Sequence, residues 1–129
     1  MTALFFPPSS RGPEETRRWF AVRCVLALTT EPDAGAAVGT TPYEERVTLW
    51  FADSAGEAIE LAETEVRDYL AAVDEVDSGP LLSQAYELEG EPGHGLEVFS
   101  LIRSSPLPPQ EYVDRFFDTG DELQRDVGA

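Results

Sequence analysis

The chain contains no lysine and no asparagine, and only one cysteine, one histidine and one methionine among 129 residues. Without lysine there is no Walker-type phosphate lysine, no Schiff base and no lysine of the common restriction-nuclease kind. No glycine pattern follows a strand and opens a helix around a phosphate. The single Cys24 rules out an intrachain disulfide and suits a reducing compartment, so a cytoplasmic setting is expected. Cys24 and His94 are too few soft ligands for the usual tetrahedral zinc sets. A Cys–His dyad would need His94, held between two glycines, to meet a thiol that the patterning places in the core. No apolar run approaches the roughly 20 residues of a membrane-spanning helix. The opening MTALFFPPSSRGPEETRR has neither a basic n-region nor an adequate apolar h-region, so it is not read as a signal peptide.

What the chain does have is acid. Its 25 Asp and Glu stand against nine basic residues, all Arg, for a formal charge of −16. Such a surface repels phosphate backbones and anionic lipid, which argues against nucleic acid and membrane as partners. A basic protein target fits the charge, as does ordinary solubility from a solvated acidic surface. The hydrophobic fraction of 42% is that of a folded domain.

Residues 1–16, rich in Pro, Ser and Glu, read as a flexible arm, 17–120 as one α+β domain, and 121–129 as an acidic tail. RWFAVRCVLALT alternates as a strand whose core face carries Phe20, Val22, Cys24, Leu26 and Leu28. After the Gly/Ala/Pro/Thr loop of residues 31–42, read as mobile, YEERVTLWFA gives a second strand, antiparallel to the first. Its Tyr43, Glu45, Val47, Leu49 and Phe51 are assigned to the core side, and Glu44, Arg46, Thr48 and Trp50 to the other. Ser54 three residues before Glu57 is a capping-box spacing that starts a helix with an apolar arc through Ala58, Ala62, Val66 and Leu70. LLSQAYELEG and LEVFSLIRS, split by EPGHG, read as a second hairpin, and PPQEYVDRFF as a short helix led by prolines. The expected architecture is a mainly antiparallel four-stranded sheet in β-β-α-β-β-α order, with the long helix packed on one face.

The segments WFAVRCV, YEERVTLW, EAIELAE, QAYEL and LIRSS followed by FFDTG resemble a family of small bacterial proteins catalogued as a domain of unknown function. The resemblance spans about Trp19 to Gly120, and the Arg- and Ala-rich composition points to an actinobacterial setting. It implies a coherent fold but carries no activity.

No catalytic residue, cofactor or metal site is assigned. Adjacent strand carboxylates such as Glu44 and Glu45 point to opposite faces and cannot act as a pair without a bulge. The first hairpin, with the faces assigned above, gathers Trp19, Arg23, Arg46, Thr48 and Trp50 on its outward side. Trp and Arg are the residue types that dominate protein interfaces. Tyr112, Phe116 and Phe117 of the last helix either close over this face or dock on a second copy or another protein. The leading expectation is therefore a protein-binding module, an acidic inhibitor, immunity-like protein or adaptor, with a homodimer as one form. The alternative is a small-molecule binder or enzyme in which Arg23, Arg46 and Arg103 converge on an anionic ligand.

Overall fold

The computed structural model describes residues 16–28, 39–73 and 79–124. They form β1 (Arg18–Ala27), β2 (Tyr43–Ala52), α1 (Ala55–Ala72), β3 (Leu82–Glu87) and α2 (Pro109–Phe116). β1 is the centre of a three-stranded antiparallel sheet in the order β2-β1-β3, and α1 covers one face of it. The α+β class holds, but the four-stranded sheet does not.

Alternation in β1 builds the core as expected. Phe20, Val22, Cys24 and Leu26 are at most 1% exposed and lie under α1 with Val66 and Leu70. Each large apolar side chain withdrawn from water contributes about 1.5–3 kcal/mol. Alanines line the contact between the layers, with Ala55, Ala58 and Ala62 on the helix and Ala52 and Ala85 on the sheet, all buried. These short side chains let α1 sit close to the strands. The helix starts where the capping box predicts, because the Glu57 N–H donates to Ser54 Oγ at 3.1 Å. It ends at Ala72, with Val73 as the C-cap.

The expected fourth strand, LEVFSLIRS at residues 96–104, is not a strand. The turn at His94 and Gly95, where Gly95 takes a φ of 82°, sends the chain over the helix-free face of the sheet instead of along an edge. Side-chain contacts hold it there. Tyr86 donates its hydroxyl proton to Glu97, and the Phe99 ring lies 6.0 Å from the Tyr86 ring and 4.9 Å from the Arg23 guanidinium carbon. Rings attracted to a sheet face displace the backbone from the ladder that its alternating pattern suggested.

A second correction concerns β2. Its register pairs Phe20 with Trp50, Val22 with Thr48, Cys24 with Arg46 and Leu26 with Glu44. Directly paired residues share a face, so Glu44, Arg46, Thr48 and Trp50 lie on the core side, and Tyr43, Glu45, Val47, Leu49 and Phe51 turn away from it. The apolar phase of β2 is thus the outer one, opposite to the expectation.

Of the arm, residues 1–15 lie outside the described residues, but Thr16 is buried and its hydroxyl donates to the Asp53 carboxylate. Of the loop at 31–42 only 39–42 are described, and of the acidic tail only 121–124, which have no regular structure.

Candidate interaction surface

The inverted phase of β2 turns apolar side chains to the surface. Tyr43 is 62% exposed, Val47 47%, Leu49 38% and Phe51 43%, a strip along the helix-free face of one strand that the exposed Glu45 interrupts between Tyr43 and Val47. Trp19, paired with Phe51 across the ladder, extends it, with ring centroids 5.2 Å apart. Monomeric proteins seldom leave large apolar side chains contiguous in water.

β2 is also an edge. Leu28 N–H donates to the Pro42 carbonyl at 2.9 Å, which continues the β1–β2 register and fixes which backbone groups face β1. Hydrogen-bonding direction alternates along an antiparallel strand. The even-numbered residues from Glu44 to Ala52 therefore bond to β1, while the amides and carbonyls of Tyr43, Glu45, Val47, Leu49 and Phe51 point outward. Among the described residues no strand pairs with that outer side. The same residues that expose apolar side chains thus expose open backbone groups.

On the opposite face, above the rim of β2, polar groups are satisfied internally. Arg46 makes a two-pronged contact with Glu65 of α1, at 2.7 and 3.2 Å, and its guanidinium lies 3.8 Å from the centre of the Tyr69 ring. Burial works against the Arg46 charge, yet the hydrogen bonds and charge of Glu65 outweigh it and raise its pKa. Tyr69 donates to Glu44 at 2.7 Å, and that bond, with some burial, pushes the phenol's pKa up. Trp50 Nε1 donates to Thr48 Oγ1 at 2.7 Å, and the ring packs on the core.

The anticipated cluster is therefore divided. Trp19 and Arg23 occupy the helix-free face, whereas Arg46, Thr48 and Trp50 occupy the helix side. Glu45, 3.9 Å from Arg23, is mostly exposed at the sheet surface. The three arginines do not converge either, because Arg46 is locked to Glu65 on the far side of the sheet. Arg23 and Arg103 do line one cleft of about 430 Å³, together with Phe99, Leu101, Tyr112, Phe116 and Phe117 and the carboxylates of Glu45 and Glu122. Arg23 donates to Gln84 Oε1 from Nε at 3.1 Å and from an Nη at 2.6 Å. Arg103 donates to the Tyr112 hydroxyl at 3.3 Å and lies over Phe116 and Phe117 at 5.2 and 5.9 Å. The terminal helix reaches the face but closes it only partly, for no residue of α2 is buried.

Sequence reading missed the role of Tyr43, Val47, Leu49 and Phe51 as surface residues. Their signal was the alternation itself, read in the wrong phase. His94 is an exposed turn residue, and Cys24 is buried with its pKa raised, chiefly by desolvation. No helix among the described residues is long and apolar enough to cross a membrane. No protein-family model, curated protein or solved structure matches the chain.

Proposed function

We propose that this chain is a non-enzymatic protein-binding module that docks through the outer edge and helix-free face of β2. One observation carries this reading: the apolar phase of a ten-residue edge strand is turned to solvent beside its own unpaired backbone groups. Long edge strands are normally blunted by charge, proline or a bulge; β2 has no proline, lysine or bulge, and its charges, Glu44, Glu45 and Arg46, gather towards one end. Strand addition to such an edge is a general mode of protein recognition. The charge of −16 favours fast capture of a basic target by an acidic inhibitor or adaptor, and the same edge can instead pair with a second copy of the chain. Native mass spectrometry of the protein purified from its host at low salt tests the reading. An assembly heavier than one chain supports it, and a bare monomer at micromolar concentration counts against it.

A second reading has its own observation. Arg103, in a chain so rich in carboxylates, forms no ion pair among the described residues and faces the cleft that Arg23 also lines. That pair suits a small anion with an aromatic or apolar body, held against Phe116 and Phe117. Calorimetric titration with benzoate and phenyl phosphate tests it. Heat that disappears in Arg103→Ala, with the melting temperature unchanged, supports the anion site.

A further inference from the structure

We infer that the occupant of the β2 edge is a second copy of this chain, joined antiparallel about a twofold axis through Val47 to make a continuous six-stranded sheet. This rests on the reading of β2 as a docking edge and commits it to one partner.

The hydrogen-bonding phase sets the first constraint. Only the odd-numbered residues of β2 offer outward backbone groups, so a self-paired edge must match odd residues with odd residues. Side-chain charge then selects among the allowed registers. Centring on Glu45 sets that carboxylate against itself, and centring on Arg46 sets two guanidinium groups opposite each other. Both arrangements are unfavourable. A centre at Thr48 also avoids like charges, but it places Glu45 against Phe51 and Tyr43 against Asp53 and so leaves no aromatic pair. A centre at Val47 sets Val47 against Val47, Tyr43 against Phe51 of the second copy and Glu45 against Leu49. On the helix side it sets Arg46 against Thr48 and Glu44 against Trp50. No like charges then stand opposite, and an aromatic pair closes each end.

The helix layer joins the same rim. Leu61 lies one turn before Glu65, the residue that reaches Arg46, and so on the flank of α1 above β2, where it is 39% exposed. Apolar side chains therefore line the helix-free side of the open edge, and Leu61 stands over a helix side that is polar along Glu44, Arg46 and Thr48. A ten-residue strand is about 33 Å long, and one sheet layer with one helix layer is about 20 Å deep. The strip approaches roughly 650 Å² per copy, within the range of specific interfaces. β3, the other edge, is only six residues long.

Charge also separates this partner from a basic one. Two copies of a strongly acidic chain repel each other at long range, so added salt tightens the pair, whereas salt loosens a complex with a basic protein. The test is native mass spectrometry and light scattering of the full chain across a salt series, with Val47→Lys beside it and Leu82→Lys as a control on the other edge. The expected result is a mass of twice 14.2 kDa that gains population with salt. Val47→Lys should weaken it by about 100-fold or more while Leu82→Lys does not. Should Val47→Lys fail to fold, dilution of the wild type replaces it. The amides of Glu45, Val47 and Leu49 then lose hydrogen-exchange protection as the dimer dissociates. A heteromeric complex that Val47→Lys abolishes overturns self-pairing but retains the docking edge. A monomer with those amides protected at all dilutions overturns both, because the edge is then covered by the chain itself. A monomer with them unprotected overturns self-pairing as well.

Discussion

Arg46 shows how a residue of interface type becomes structural. Its planar fork grips Glu65 and its face stacks on Tyr69, so charge, hydrogen bonds and packing all depend on one side chain. Arg46→Ala should cost about 1 kcal/mol, a modest figure because both partners are partly solvated at 22% and 34% exposure. Arg46→Lys should recover less than half, since an ammonium can neither fork nor stack in the same way. Urea unfolding measures both. Two nearby groups make stability fall in alkali. Burial raises the Cys24 thiol above its ordinary 9.0, and the hydrogen bond to Glu44, with burial, raises the Tyr69 phenol above 10.0. The folded chain then keeps protons that the unfolded chain releases. The contribution is complete below about pH 9 and is lost as pH climbs through the raised folded values. Urea midpoints measured from about pH 7 to 11 should decline less steeply in Cys24→Ala and Tyr69→Phe.

At the scale of elements, what the sequence made legible and what it hid have separate causes. β1, α1 and β3 follow from local signals: alternation, a cap, and turn residues. Ser54→Ala should accordingly cost about 1 kcal/mol by removing the acceptor for the Glu57 amide, read as a shift in the urea midpoint. The phase of β2 relative to β1 is not a local property. Both phases of β1 are apolar, with Phe20, Val22 and Leu26 on one side and Trp19, Ala21 and Val25 on the other, so hydrophobicity alone could not say which phase of β2 joined which. A one-residue difference in register exchanges every side chain between faces. The deciding contacts, Arg46 with Glu65 and Glu44 with Tyr69, lie far apart in sequence, and they moved Arg46 and Trp50 out of the anticipated site. Residues 96–103 were hidden for a similar reason. Their alternation is that of a strand, but Phe99 packs against Tyr86 and Arg23 on the sheet face, which holds the backbone away from an edge.

For the whole molecule, cohesion is uneven. The helix–sheet sandwich contains the buried core, whereas α2 buries none of its residues. Its amides should exchange with solvent orders of magnitude faster than those in the middle of α1, by hydrogen exchange at neutral pH. Ending the chain before Ser104 should leave the cooperative melt within a few degrees of the full-length protein while uncovering the cleft beside Arg23. Periphery and fold are thereby separable: the C-terminal segment lies outside the buried core, and changes there should leave the sandwich standing.

The burial of Cys24 has a practical corollary. The thiol lies beneath α1, 3.6 Å from the Ser83 hydroxyl, which in turn donates to Glu63 of the helix at 2.6 Å. An alkylating reagent reaches the sulfur only when α1 lifts from the strands, and the sequence offers no other thiol to compete. At reagent concentrations low enough that reclosing outpaces alkylation, the rate for the unmodified protein divided by that for the unfolded chain is the equilibrium constant for opening the two layers. The molecule carries its own clock for the motion that exposes its core.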